Sequence, residues 1–551
     1  MMRYFVVVTL LSGLMLQQAY SQPSSKKGKK AVHEAIDDPE WLRTRLEKIR
    51  KFYDLPDLGA VVVMKGEVVA ASVVGVRKYG TKIAATQDDR FHLGSITKVM
   101  TAALIGMMVD DGVLTWNTTM EEMFPELVSV MQPGYRKVTV LQLLSHTGGF
   151  PYGPNKSIDQ ITAEGRDVVE RRYGYVKAAI ADPLAYEPGT SEAYSGGGVV
   201  VMSFVERKVG RSYEDLMFER LYRPLGLSTA GIGDHMASAG KVDAPWGHRQ
   251  TNGQTIPREP EYTSPANGRQ PVGGAYLSMP DLGRYLAFHL QGERGQNELL
   301  KPETFKRLHT SAPGTGFAPG WISVKPGWAE GRVLIHNGSI GIHVASAHVA
   351  LDEDYAIACG TNAAGEPRAD KALEEVRQFL VVQIHNRNWN KTTAKPLKKG
   401  SPLPPRPDIW LDDVKPIEAT VGYGKFEVGS RDGGDPLTLD GDRFTHGLGV
   451  HAPSRVSYEI KPNYKRFVGR VGPEERGSWR ASVVAEIYID DKLIEKSPLL
   501  KAGDSTWNFN ISIPRKATGN AASILHLVIT DGEDGINSDS ADWVDVGFVT
   551  K

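Results

Sequence analysis

A serine hydroxyl is a poor nucleophile at neutral pH and needs a base beside it. The tetrad Ser95-Ile96-Thr97-Lys98 supplies both groups within one helical turn. Three residues of α-helix rotate through about 300°, so the two side chains share a face. The spacing alone is weak, because Ser24 to Lys27 and Ser238 to Lys241 repeat it in polar, small-residue stretches that do not suggest a helix. Only Ser95 opens an apolar run, Val99 to Val109, which is hydrophobic nearly all the way round and therefore predicted to be buried. That puts Ser95 and Lys98 at the N-terminal end of the helix, where backbone N–H groups and the helix dipole favour negative charge. Two later triplets, Tyr194-Ser195-Gly196 and His336-Asn337-Gly338, carry polar groups suited to completing such a site. No Gly-x-Ser-x-Gly elbow occurs, which excludes the α/β-hydrolase arrangement of a nucleophilic serine.

The elements needed to hold these groups are visible as patterns. A charged amphipathic helix is predicted from about residue 33 to Asp54, followed by the apolar strands Ala60–Val63 and Val68–Val74, joined through Lys65-Gly66 as a hairpin. The middle of the chain alternates helical runs, such as Val199 to Val209 and Asp281 to Gln291, with Gly- and Pro-rich loops. Three strand-like runs fill 332–360, and a helix follows from about 368 to 386. Strands at both ends with helices between predict an α+β domain, an antiparallel sheet flanked by helices. Composition then shifts. Residues 390–408 are rich in Pro and Lys with little to bury, a stiff extended linker across which few contacts are expected. Beyond it, Arg455–Ile460, Val483–Ile489, Trp507–Ile513 and Ile524–Ile529 read as short strands of an all-β sandwich over 409–551.

With 551 residues the chain has room for more than one domain, and Lys+Arg and Asp+Glu both total 65. No global charge therefore argues for a nucleic acid partner. The lone Cys359, in the strand-like run Tyr355–Cys359, excludes an intrachain disulfide framework and multi-cysteine metal sites. It reads as a small buried hydrophobe. Residues 1–21 have the basic start, apolar stretch and Ala19-Tyr20-Ser21 cleavage pattern of a signal peptide, so a secreted or periplasmic protein is expected. Residues 22–32 form a lysine-rich tail, predicted to be disordered, ahead of a domain over 33–389. The apolar stretch is too short to span a bilayer, and no other segment qualifies.

Over roughly residues 40–385 the chain resembles the serine β-lactamase and penicillin-binding protein superfamily, closest to its class C-like branch of family VIII esterases and D-aminopeptidases. The resemblance rests on Phe91-His92-Leu93-Gly94-Ser95-Ile96-Thr97-Lys98, Leu143-Leu144-Ser145-His146-Thr147-Gly148-Gly149, Pro188-Gly189-Thr190 with Tyr194-Ser195, Arg223-Pro224-Leu225-Gly226-Leu227, Gly273-Gly274-Ala275 and His336-Asn337-Gly338-Ser339, in family order. It implies that Ser95 forms an acyl-enzyme, that Lys98 is its base and that Tyr194 completes the proton network. It also implies that the backbone N–H groups of Ser95 and Ser339 form an oxyanion hole, and that His336, Asn337 and Gly338 line the substrate site in place of a Lys-Thr-Gly. His146 is assigned no chemistry; its loop is expected to shape the cleft. The family's Tyr-x-Asn is here Tyr194-Ser195-Gly196, and Gly196 has no side chain to position a substrate amide.

Residues 409–550 resemble the NPCBM family of carbohydrate-binding modules, which has a galactose-binding-like jelly roll. The match rests on Gly433-Gly434-Asp435-Pro436-Leu437, on Phe444 to Ser454 with its His446-Gly447-Leu448-Gly449-Val450-His451 block, and on Asp531 to Gly535 ahead of Ala541-Asp542-Trp543. Trp410 and Trp543 are candidates to stack on sugar rings, with core packing as the alternative for either. The acidic run from Asp531 to Asp542 lacks EF-hand spacing. No cofactor or catalytic metal is expected, and structural Ca²⁺ stays open. The expected protein is an exported serine hydrolase acting on a small ester, amide or peptide and delivered to a polysaccharide. The competing readings are a D-aminopeptidase- or DD-carboxypeptidase-like peptidase or weak β-lactamase, and a non-catalytic binder of glycans or cell-wall fragments.

Overall fold

Proline disfavours helix at the residue before it, and Pro39 accordingly delays the first helix. Helix α1 spans Glu40–Phe52 with Pro39 as its extended N-cap, starting later than the charge pattern predicts. The computed structural model describes residues 36–151, 167–233, 236–238, 240–260, 268–386, 402–430, 434–514 and 523–551. The predicted signal peptide, the tail and linker residues 390–401 lie outside the described residues. Strands β1 (Asp57–Met64) and β2 (Glu67–Gly75) form the predicted hairpin. Its turn residues Lys65 and Gly66 both have positive φ, 54° and 79°, as the twist of a two-residue hairpin requires.

The domain continues through α2 (Thr97–Asp110), α3 (Val168–Ala181), α4 (Gly197–Val209) and α5 (Met279–Gly292). It closes with β3 (Ile322–Val324), β4 (Val333–Ser339), β5 (Val344–Ala350), β6 (Tyr355–Thr361) and α6 (Pro367–Asn386). The sheet order is β2-β1-β6-β5-β4-β3, antiparallel throughout. Strands from both ends of the domain thus meet at its centre. Side chains alternate between the sheet's two faces. Val61 and Val63 join the core under α2 and α5, while Ala60 and Val62 join a second core under α1 and α6. Cys359 is buried in β6 on that second face, and burial pushes its thiol far above the usual range. Helix α2 is buried from Thr97 to Met108. Burying Leu104, Ile105, Met107 and Met108 stabilises by roughly 2 kcal/mol each, enough to hold the helix in place while it keeps Lys98 out of water.

The C-terminal region is the expected β-sandwich. One sheet runs in the order Glu427–Val428, Gly447–His451, Ser540–Val549, Arg466–Pro473, Trp507–Ser512; the other runs Glu418–Thr420, Ser454–Ile460, Ser523–Thr530, Ser482–Ile489, Lys492–Lys496. Their inner faces enclose one core, with Phe467, Trp543 and Phe548 from the first sheet and Tyr458, Ile487 and Leu527 from the second. Trp543 is 0% exposed and edge-on to Phe509, so it offers no ring face to a sugar; core packing has claimed it.

The expectation of few contacts across the linker fails. Glu375 of α6 accepts a hydrogen bond from Tyr53 and pairs with Arg45 and with Arg443 of the C-terminal domain. Arg45 also reaches Glu475 at 2.9 Å, and Lys48 reaches Asp442 at 2.7 Å. Trp479 stacks on His385 with centroids 3.9 Å apart and donates to the Trp328 carbonyl. The pairs made by Arg45 and Glu375 are shielded, their side chains being 7% and 3% exposed, whereas Lys48 and Asp442 stay open to solvent. Removing one member of a shielded pair strands the other, at a cost of about 3 kcal/mol. Arg443→Ala is therefore expected to move the denaturant midpoint by an amount equivalent to ~3 kcal/mol. Residues 33–389 alone should be less stable than the full chain. An unchanged midpoint for Arg443→Ala, or a fragment as stable as the whole, would restore the picture of two tethered beads.

Candidate active site

Ser95 lies on a single 3-10 turn, Gly94–Ile96, that feeds directly into α2. Thr97 fixes this turn, its hydroxyl donating to the Gly94 carbonyl at 2.6 Å and accepting from the Ala275 N–H at 2.9 Å. In the stretch from Phe91 to Met100 only Ser95 keeps partial exposure. Strand β4 packs backbone against backbone on the turn. A Cβ on Gly338 would stand 1.9 Å from the Leu93 carbonyl oxygen and 2.8 Å from the Ser95 nitrogen. One on Gly94, where φ is +48°, would stand 2.5 Å from the Ser339 nitrogen. Only glycines allow this approach, and it brings the backbone nitrogens of Ser95 and Ser339 into one small volume.

Lys98 donates from Nζ to Ser95 Oγ at 3.2 Å and to the Val272 carbonyl at 2.9 Å. Its Nζ sits 4.4 Å from the centre of the Tyr194 ring. Burial, helped by the nearby charge of Arg269, lowers the Lys98 pKa to about 7. The chain thus holds a hydroxyl next to an amine that gives up its proton near neutrality, the pairing that nucleophilic catalysis by serine requires.

Tyr194 is held from behind by His146. The capping box of Thr139 and Gln142 starts the short helix Val140–Leu144, and the chain then turns through His146 at φ +59°. The His146 Nδ1 accepts from the Ser195 N–H at 3.1 Å, its carbonyl accepts from the Ala193 N–H at 2.9 Å, and its ring lies 4.7 Å from that of Tyr194. Burial, followed by the charge of Lys98, lowers its pKa to about 3, so the ring is neutral. The loop shapes the cleft as expected, and its histidine clamps the segment that carries Tyr194.

The triplet on β4 divides. His336 faces the site, with its ring 6.3 Å from that of Tyr194. Its Nδ1 contacts the Asn337 carbonyl at 2.6 Å, which sets the proton on Nδ1 and leaves Nε2 as an acceptor. Burial and the charge of Lys98 lower its pKa to about 4. Asn337 points to the opposite face, where its Oδ1 accepts from Ser346 Oγ at 2.7 Å. It does not line the cleft, because neighbours on a strand alternate. Gly338 contributes its missing side chain, as described above. Gly196 has a physical cause as well: a Cβ there would meet the Tyr175 hydroxyl oxygen at 2.2 Å. The phenol of Tyr175, from α3, fills the space an asparagine side chain would need.

Arg269, the Val272 carbonyl and Tyr175 escaped the sequence reading. Tyr175 is part of an ordinary helical pattern, and the carbonyl has no sequence signal. Arg269 does have a signal, lying four residues before the Gly273-Gly274-Ala275 motif. Trp410 is partly exposed, but its ring stacks on His446 with centroids 4.1 Å apart, and Arg406 lies 5.3 Å over it. Among the described residues no cluster of His, Cys, Asp and Glu has the arrangement of a metal site, and no helix is long and apolar enough to cross a membrane.

The β-lactamase family model matches residues 42–380, and the NPCBM/NEW2 domain model matches residues 407–549. Penicillin-binding protein 4 of Amycolatopsis lactamdurans is 26% identical over 306 residues, 54% of this chain and 76% of that protein. The lovastatin esterase of Penicillium rubens is 28% identical over 189 residues, 31% of this chain and 47% of the esterase. Among solved structures, D-amino acid amidase from Ochrobactrum anthropi aligns with a TM-score of 0.52 at 17% identity, covering 63% of this chain and 98% of the amidase. That likeness is one of fold.

Proposed function

The chain belongs to the β-lactamase family, whose members are serine hydrolases, and from that premise we propose that it is an exported enzyme cleaving an ester or amide through an acyl-enzyme on Ser95. The observation that supports this most directly is the 3.2 Å contact between Lys98 Nζ and Ser95 Oγ in a site that strips water from the amine. Neutral Lys98 takes the hydroxyl proton as Ser95 Oγ attacks the carbonyl carbon. The resulting oxyanion accepts from the Ser95 and Ser339 N–H groups, each worth about 3 kcal/mol in such sites. As the tetrahedral intermediate collapses, Tyr194 passes the proton to the leaving oxygen or nitrogen. Water, activated by the same pair, then frees the acid. The C-terminal domain, of a family of carbohydrate-binding modules, holds the enzyme to a polysaccharide.

A fluorophosphonate probe should form one adduct, on Ser95; an intact protein that neither labels nor hydrolyses any of a panel of esters, acetylated sugars and D-Ala-D-Ala peptides would instead be a binder. The proton inventory adds a pH test. Lys98 must be neutral to act, and its pKa lies below the usual lysine value, at about 7. Ester kcat/KM should therefore rise with pH through about 7 and level off above it. Removing the neighbouring cation by Arg269→Ala should move that rise to higher pH. A profile flat between about pH 6 and 8 would exclude Lys98 as the base.

A further inference from the structure

The C-terminal domain contains a cavity of 330 Å³ walled by Pro404, Pro405, Arg406, Trp410, His446, Arg470 and Asp545. That is within the range of small-ligand sites, roughly 300–1,000 Å³. Two features mark it as built for a ligand. The first is a bulge in the strand Ser540–Val549. Val468 pairs with Gly547 but Arg470 pairs with Val544, so Asp545 and Val546 oppose the single residue Gly469. Asp545 takes φ +48° there, a left-handed conformation that side-chain-bearing residues enter at a cost. The bulge turns the Asp545 carboxylate onto the cavity wall and against Arg470. The domain thus accepts strain to hold an acceptor and a donor side by side.

The second feature is an uncommitted cation. Arg470 is balanced by Asp545, and His446 hydrogen-bonds Asp412 at 2.7 Å. Among the described residues no carboxylate pairs with Arg406, which is exposed and rests over the Trp410 ring. Trp410 stacks on His446 and carries Arg406 over its ring, so it serves as a platform for the cation. An Asp–Arg pair suits vicinal hydroxyls, and an unpaired guanidinium suits an anionic group. We propose that this cavity binds an acidic sugar unit of a polysaccharide, with Arg406 holding the carboxylate or sulfate while Asp545 and Arg470 take neighbouring hydroxyls. The proposal rests on the reading of the C-terminal domain as a polysaccharide anchor and makes no use of the hydrolase chemistry.

Affinity electrophoresis of the full chain through gels carrying polygalacturonate, dextran sulfate or unsubstituted dextran tests it. One or both acidic polymers should retard the protein and dextran should not; polygalacturonate alone assigns a carboxylate, dextran sulfate alone a sulfate. Arg406→Ala should weaken retention at least ~10-fold, the loss expected for a hydrogen bond to a charged group. Asp545→Asn, which tolerates the same backbone conformation, should also weaken it. Arg455→Ala removes a surface cation that pairs with Asp491 elsewhere on the domain and should not. Retention by dextran, retention by neither acidic polymer, or equal losses for Arg406→Ala and Arg455→Ala would each overturn the proposal. Nitrophenyl-ester hydrolysis, measured in parallel, should be unchanged by Arg406→Ala, so a failed anchor and a failed hydrolase are told apart.

Discussion

Ser95→Ala and Lys98→Met are each expected to lower ester kcat/KM by at least ~10⁴-fold without unfolding the protein, and the double variant should be little worse than either. The reason is cooperation: a hydroxyl without its base and a base without its hydroxyl both leave only binding and the oxyanion hole. Ser95 sits partly exposed on a turn fixed by Thr97, so losing its hydroxyl leaves that turn intact. Lys98 is buried, and methionine keeps most of its volume while removing a group that is costly to bury. Unfolding midpoints within about 1 kcal/mol of wild type would show that the lost activity belongs to the site. Activity near wild type for Ser95→Ala would remove the nucleophile, and a double variant falling to the product of the single losses would mean that the two residues act independently.

Much of this was legible because short-range rules govern it. The Lys65-Gly66 hairpin, the all-apolar helix α2 and the three strands over 332–360 follow from periodicity and turn chemistry, which are local. The Ser95–Lys98 contact is local too, being one turn of chain. What stayed hidden depends on residues far apart in sequence or on backbone atoms. Tyr175 reaches Gly196 from another helix, and Lys98 is anchored by a carbonyl at Val272. The His336–Gly338 triplet is contiguous in sequence, but the alternation of a strand separates Asn337 from its neighbours. The ten-residue strand Ser540–Val549 was missed because its pattern is broken twice. Asp542 is buried and accepts from the Thr438 N–H, and the bulge follows at Asp545. The linker's composition described the linker alone and gave no sign that Arg443 and Trp479 would reach back across it.

The largest expected difference between substrates comes from Gly196 and His336 together. A β-lactam needs an anchor for its amide and another for its carboxylate, and the family pattern supplies an asparagine and a lysine. The first position is closed here: the Tyr175 hydroxyl occupies the space where the side chain would begin. Restoring the residue by Gly196→Asn would therefore drive it into that phenol. The second position holds His336, which burial and the charge of Lys98 keep neutral down to a pKa of about 4. Lowering the pH cannot rescue it, since Lys98 is protonated well before His336 gains a charge. Each lost hydrogen bond to a charged group costs about 1.5–3 kcal/mol, roughly ten- to a hundred-fold in rate. An ester carbonyl attacked by Ser95 uses neither anchor, so short nitrophenyl esters should exceed a chromogenic cephalosporin in kcat/KM by at least ~100-fold. Comparable values for the two would mean that other groups grip the lactam, and would favour a β-lactamase or penicillin-binding role over an esterase.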